Sequence, residues 1–251
     1  MTAPDRMTAT GTSPEGIAGE EAASRWVRGM FGRVAPRYDL LNHLLSFNLD
    51  RGWRARMVER VADTLARPGA KVLDLCCGTG DVLLSLEARK GAAVFGSDFC
   101  HPMLIEARRK IASRKFQSPL FEADALTLPL AAGSIDLITI AFGFRNLANY
   151  ERGLEELARA IKPGGVLAIL EFSQPTNRLF AALYGFFSAR ALPWIGGMIS
   201  GSRDAYSYLP KSIRKFPGAE ELARQMQAAG FSAVEFERLT FGAVALHLGR
   251  K

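Results

Sequence analysis

The stretch Lys71-Val-Leu-Asp-Leu-Cys-Cys-Gly-Thr-Gly-Asp81 (KVLDLCCGTGD) decides the reading of this chain. Val72, Leu73 and Leu75 form a short β-rich run that predicts a buried strand. Gly78 and Gly80 predict a turn in which backbone can pass close to a ligand, because glycine reaches positive φ without a steric penalty. Asp81 stands where a helix begins, and Val82, Leu83, Leu84 and Leu86 carry it on. Strand, glycine turn and helix are the front half of a βαβ unit, which binds nucleotides at the carboxyl end of its strand.

The residues around the turn select the ligand. A dinucleotide fingerprint requires a third glycine three residues after the second, and Leu83 holds that place. A phosphate loop requires Gly-Lys-Ser/Thr, but Gly80 is followed by Asp81. A carboxylate at a helix start repels a pyrophosphate, so phosphate binding is disfavoured. Asp74 and Asp81, at the two ends of the turn, suit a ligand that carries positive charge. S-adenosyl-L-methionine has a sulfonium and an ammonium and no phosphate. The next strand, Ala92 to Ser97, ends at Asp98, where a carboxylate can accept from two ribose hydroxyls. Asp124-Ala125 follow the run Pro119 to Phe121 and predict an acceptor for an adenine amino group. A glycine pair alone reads equally well as an ordinary tight turn. With Asp98 and Asp124 in order at the next strand ends, the set points to S-adenosyl-L-methionine-dependent methyl transfer.

Beyond this unit, Ile135 to Phe142 is a near-continuous apolar run, as expected for a parallel strand buried on both faces. Arg145 and Asn146 follow it and fall beside the methyl donor. Arg145 reads either as a surface residue or as a group that holds an oxyanion. A helix over Glu151 to Ile161, a strand over Val166 to Phe172 and a polar-aromatic loop over Ala205 to Ile213 come next. Ala219, Leu222, Ala223 and Met226 mark a helix that Gly230 caps. Ala233 to Arg238 and Ala243 to Gly249 form a closing antiparallel hairpin. The expected fold is α/β, the class I methyltransferase plan: a Rossmann-like, seven-stranded, mostly parallel sheet with helices on both faces.

Before the glycine turn, Pro36 suits a first helical turn, and Tyr38, Leu41, Leu44 and Leu45 lie at helical spacing. Asp50 is the expected N-cap of a helix from Arg51 to about Leu65, with Trp53, Met57, Val58 and Val61 inward. Tyr38, Asp39, Asn42 and His43 interrupt an apolar stretch and read either as a solvated face or as substrate contacts. Residues 1–23 read as a disordered tail. Leu179 to Ile199 is long enough to span a bilayer, yet Arg190, Pro193 and a glycine pair interrupt it, so no transmembrane helix is expected. It is either a core and lid segment or a cover that touches membrane and lines a tunnel for a lipid tail. The expected organisation is one domain over 24–251, with an N-terminal helical cover and an apolar insertion near 176–215.

A length of 251 residues with 48% hydrophobic side chains allows one full core. The net charge of +7 admits an anionic partner, either nucleic acid or a membrane surface. No basic, aromatic-bearing added domain supports nucleic acid, so none is expected as a partner. Cys76, Cys77 and Cys100 lack metal-ligand spacing, and the polar start lacks a signal-peptide core, which together suggest a cytoplasmic protein without a metal.

The segments FGRVAPRYDLLNHLLSF, LDLCCGTGD, FGFRN, KPGGVLAILEFSQP, YSYLPKSIRKFP and LTFGAVALHLGRK resemble the ubiquinone/menaquinone biosynthesis C-methyltransferase family from about Trp26 to Lys251. That resemblance implies C-methylation of a polyprenylated quinol, either demethylmenaquinol or a 2-polyprenyl-6-methoxy-1,4-benzoquinol. It implies cofactor contacts at Thr79, Asp98, Asp124 and Ala125, and substrate contacts near Tyr38-Asp39 and Arg145-Asn146. Arg145 is expected to steady the quinol oxyanion while Tyr38, Asp39 or a water takes the proton. Transient contact with the inner face of the cell membrane is implied, and a homodimer is left open. A scaffold that binds the cofactor without catalysis is the reading from a different class, and the intact Asp74, Gly78, Gly80 and Asp98 set argues against it.

Overall fold

The computed structural model describes residues 11–176 and 203–251. Seven strands make one sheet: β1 (Val72–Leu75), β2 (Phe95–Asp98), β3 (Leu120–Glu122), β4 (Ile135–Ala141), β5 (Ile161–Phe172), β6 (Ser232–Leu239) and β7 (Val244–Arg250). Their order is β3-β2-β1-β4-β5-β7-β6. Five strands run parallel, and β7 lies antiparallel between β5 and β6. The order reverses beside β1, so the crevice outside the carboxyl ends of β1 and β4 is the expected ligand position.

Alternation along the central strands feeds two cores. Val72, Leu137, Ala168 and Leu170 point to one face, where they meet α3 (Leu49–Arg60), α4 (Ala62–Leu65) and α5 (Asp81–Lys90) through Trp53, Met57, Leu65, Leu83 and Leu86. Leu73, Ile138, Ile140, Leu167 and Ile169 point to the other. There they meet α7 (Tyr150–Ala160) and the helix over Ala219–Ala228 through Leu154, Leu157, Leu222 and Met226. Each fully buried side chain of this size contributes about 1.5–3 kcal/mol. The period-2 pattern therefore fixes strand register strongly, since a one-residue slip would exchange the two faces.

Four features differ from expectation. Residues 11–23 do not belong to a tail. Helix α1 spans Glu20–Val34, and Thr12 is buried ahead of it. The apolar side of α1 explains this, because Val27, Met30 and Val34 pack on Tyr208, Cys100 and Met103. Second, Asp50 lies in the first turn of α3, whose N-cap is Asn48 at φ +60. Its buried carboxylate is 2.8 Å from His43 Nδ1 of α2 (Tyr38–Leu45), accepts from Ser46 Oγ at 2.7 Å and is 3.0 Å from Arg54 Nη1. Third, Leu44, expected on the packed face of α2, is 47% exposed. Fourth, Arg203–Lys215 is a helix rather than a loop, despite Pro210 inside it. Tyr208 and Ile213 are buried there, and such packing overrides the cost of an internal proline. With α6 over His101–Ser113, the helices of 203–215 and 219–228 are α8 and α9. The apolar stretch at 179–199 lies outside the described residues.

Candidate active site

The ends of four strands converge on one cavity. Tyr38 of α2 covers it, Gly78 and Asp98 form one wall, Asp124 and Ala125 a second, and Asn146 a third. Phe99 and Met103 supply apolar surface between the first two walls. No described lining residue is basic, whereas Asp98 and Asp124 are acidic. Such a lining favours a cationic, partly apolar guest and disfavours a phosphate.

The glycine turn is built by backbone geometry. Gly78 sits at φ +55 and Gly80 at φ +88, and the Gly80 N–H donates to the Cys77 carbonyl at 2.9 Å. Cys76 also has a positive φ, +54, which strains a residue with a Cβ. Burial pushes the Cys76 and Cys77 thiols well above their ordinary value, so neither is a thiolate nucleophile at neutral pH.

Asp98 ties two strand ends together. Its Oδ2 accepts from the Gly78 N–H and its Oδ1 from the Cys100 N–H, both at 2.9 Å. Each oxygen keeps lone-pair capacity for one hydroxyl of a ribose. Burial raises this carboxyl to about 6. Asp74 lies deeper, 1% exposed. Its Oδ1 accepts from Thr139 Oγ1 at 2.7 Å, and its buried Oδ2 has no partner among the described residues. Desolvation lifts it to about 7. Asp124 lines the cavity while its Oδ1 caps the Leu126 N–H at 2.9 Å. The paired acceptors of Asp98, with Asp124 beside them and no basic residue among the described lining, fit S-adenosyl-L-methionine. Asp74 and Gly80, expected at the cofactor, do not line the cavity: Asp74 is buried behind the glycine turn.

The remaining expected residues serve the site indirectly. Thr79 Oγ1 donates to Asp39 Oδ1 and accepts from Lys110 Nζ at 3.0 Å, so its hydroxyl is committed away from the cavity. Asp39 also pairs with Lys110, and Asp81 pairs with Lys110 at 2.6 Å and Arg54 at 2.8 Å. This network fastens α2 and α3 onto the glycine turn. It makes Asp39 a clamp on that turn, away from the described cavity. Arg145 likewise does not line the cavity. Its Nη1 donates to Glu171 Oε1 at 2.8 Å and to the Phe142 carbonyl at 2.7 Å. A buried guanidinium without a counter-ion would cost several kcal/mol, about 3–5, and Glu171 at the end of β5 supplies that counter-ion. Asn146, next in the chain, is the residue of the pair that reaches the cavity. Desolvation raises the Tyr38 phenol above its ordinary value and keeps it protonated.

Glu171, Lys110, Arg54 and Met103 have no site role legible in the sequence. For Glu171 the available signal was an acid closing an apolar strand (VLAILEF), which needs a buried cation. The partners that tie Lys110 and Arg54 to the glycine turn, Asp39 and Asp81, are distant in sequence, and the i,i+4 pair of Arg54 with Asp50 gives no hint of them.

Comparison with known proteins is consistent with this geometry. Residues 19–251 match the ubiE/COQ5 methyltransferase family. The chain belongs to this family. A relative from Thermus thermophilus named demethylmenaquinone methyltransferase is 50% identical over 221 residues, 88% of this chain and 99% of the relative. One of the same name from Deinococcus radiodurans is 42% identical over 98% of this chain and all of its own length. A solved S-adenosylmethionine-dependent methyltransferase from Thermotoga maritima shares the fold at TM-score 0.65, with 18% identity over 89% of this chain and 98% of its own. The ubiE/COQ5 match therefore supplies the reaction class, and the structural neighbour supplies the fold alone.

Proposed function

We propose that this protein transfers a methyl group from S-adenosyl-L-methionine to a ring carbon of a polyprenylated quinol, converting demethylmenaquinol to menaquinol. The observation that carries this reading is the cavity at four strand ends, acidic and with no basic residue among the described lining, and covered by Tyr38. The two relatives named demethylmenaquinone methyltransferase support the naphthoquinol.

The bound sulfonium supplies an electrophilic methyl group and leaves as a neutral thioether, so no general acid is needed. A ring carbon is a weak nucleophile until an adjacent hydroxyl loses its proton, which for a phenol occurs near pKa 10. Asn146, through its amide N–H, steadies the developing oxyanion. Arg145 acts from behind it: with its charge committed to Glu171, it holds the Phe142 carbonyl and the turn that carries Asn146. Tyr38, protonated, donates a hydrogen bond to a substrate oxygen, and a water takes the quinol proton. Asp98 and Asp124 orient ribose and adenine, so that carbon, methyl and sulfur align.

Contact with the cytoplasmic membrane surface belongs to the same reading. Leu40, Leu44, Phe47 and Leu49 are 47–71% exposed on α2 and the start of α3, next to the cover residue Tyr38. Exposed Arg33 and Arg51 flank them and suit anionic headgroups.

The test is methyl transfer from labelled S-adenosyl-L-methionine, in detergent, to reduced demethylmenaquinol and in parallel to reduced 2-polyprenyl-6-methoxy-1,4-benzoquinol. Labelled menaquinol is the expected product. Label only in the benzoquinol product would move the substrate to the ubiquinone series. Cofactor binding without either product would leave the scaffold reading.

A further inference from the structure

The ordered residues ahead of α1 reach the wall of the cavity. Gly11 presses on the 148–149 backbone so closely that a Cβ there would stand 1.9 Å from the Ala148 carbonyl oxygen. The Thr12 N–H donates to the Leu147 carbonyl at 2.8 Å. Leu147 and Ala148 line the cavity beside Asn146, so this segment grips the outside of that wall. Thr12 Oγ1 lies 2.6 Å from Tyr208 Oη, and Tyr208 Oη donates to Asn146 Oδ1 at 3.0 Å. All three side chains are buried, at 8%, 7% and 7% exposure. Further along, Glu15 pairs with Lys211, and Lys215 Nζ donates to the Ser13 carbonyl and hydroxyl at 3.0 Å. The ubiE/COQ5 match begins only at residue 19.

The direction of these hydrogen bonds has a chemical outcome. A tyrosine hydroxyl has one proton. Given to Asn146 Oδ1, that proton leaves Tyr208 Oη to accept from Thr12. The amide of Asn146 is thereby fixed in one of two otherwise similar orientations. Its carbonyl faces Tyr208, one amide N–H lies 3.4 Å from the Phe142 carbonyl, and the other is left for the cavity. In the flipped orientation an amide oxygen would meet the quinol oxygen and repel it once it ionises.

We propose that residues 11–15 are a positioning strap for the cavity. Through the relay Thr12–Tyr208–Asn146, the strap holds Asn146 as a hydrogen-bond donor to the acceptor's oxygen. The acceptor's identity rests on the function proposed above; the holding of the wall does not.

The test uses full-length chains carrying Thr12→Val, Thr12→Ser, Gly11→Ala or Tyr208→Phe. Hydrogen exchange is followed over residues 142–149, with kcat and KM for the quinol and Kd for the cofactor. Gly11→Ala, which cannot keep the close approach, and Thr12→Val should each raise exchange across 142–149 several-fold. They should lower kcat/KM for the quinol about tenfold and leave cofactor Kd within about twofold. Thr12→Ser should restore both readouts, a rescue that simple loss of packing would not give. Thr12→Val combined with Tyr208→Phe should cost little more than the worse single variant, because the two act through one relay. Unchanged exchange and turnover in both Gly11→Ala and Thr12→Val would overturn the strap. Raised exchange in a protein whose unsubstituted form methylates no quinol would keep the strap and remove the substrate reading.

Discussion

Arg145 and Glu171 form a buried ion pair, Nη1 to Oε1 at 2.8 Å, with side chains 7% and 1% exposed. Glu171 also accepts from the Arg145 backbone N–H at 3.2 Å, so the carboxylate holds both ends of the residue that follows the end of β4.

Removing either partner strands the other's charge. Arg145→Ala or Glu171→Gln should therefore cost about 3–5 kcal/mol of stability, read by denaturant unfolding. Arg145→Met with Glu171→Leu removes both charges and should recover most of that loss. Turnover should stay low in the double variant while cofactor affinity holds. If turnover returned with stability, Arg145 would be structural only.

Asp74 gives stability a pH dependence of defined sign. Its carboxyl titrates at about 7 in the folded chain, against an ordinary value of 3.8. Between those values the folded state binds the extra proton, so stability falls as pH rises through this window. Asp74→Asn stays neutral throughout. Its melting temperature relative to the unsubstituted protein should climb from pH 4 to 7 and level off above. Parallel curves for the two proteins would contradict the assignment.

Asp98 should make cofactor affinity pH-dependent in the opposite sense. The ionised carboxylate accepts from ribose hydroxyls, and burial places its titration at about 6. Kd for S-adenosyl-L-methionine should rise as pH falls through 6, read by calorimetry. Asp98→Asn should bind weakly at every pH, with no inflection.

Gly143 and Cys76 should be exchangeable only as a pair. A Cβ on Gly143 would lie 2.3 Å from Cys76 Cβ, so Gly143→Ala alone should destabilise by about 1–3 kcal/mol. Cys76→Gly removes the obstructing atom and also the strain at φ +54. The double variant should melt near the unsubstituted protein, and a double variant no better than Gly143→Ala would refute the contact.

Asp39 is expected to act through the cofactor side. Asp39→Asn weakens its pairing with Lys110 and its acceptance from Thr79. Cofactor Kd should rise several-fold, with a smaller change in kcat at saturation. A loss confined to kcat would make Asp39 the group that takes the proton.

The legible parts of the sequence were those with local signals. Glycine at positive φ, acids at the end of β2 and after β3, and apolar runs of the right length located the sheet, the turn at Gly78 and Gly80, and the cavity residues Gly78, Asp98 and Asp124. Polar groups whose partners are remote could not be read that way. Arg145 has a location dictated by its strand but a partner 26 residues on. Thr79 turns to Asp39, 40 positions earlier. Tyr208 carries an apparent loop signature that packing against Trp26, at 5.2 Å between ring centroids, converts into helix. The same holds for Thr12, whose polar surroundings in sequence suggest solvent while its hydroxyl meets Tyr208, 196 residues away.

The strand order has a consequence for how the chain is made. β7 is the last strand in the sequence yet sits between β5 and β6. During synthesis from the amino end, β6 emerges with no neighbour to pair with, and β5 presents an open edge of Val166 to Leu170. An unpaired apolar edge is a template for another nascent chain. Premature termination between Phe172 and Val244 would leave that edge bare in every copy. Such products should accumulate as aggregates rather than as weakly active enzyme, even with Gly78, Asp98 and Asn146 all present.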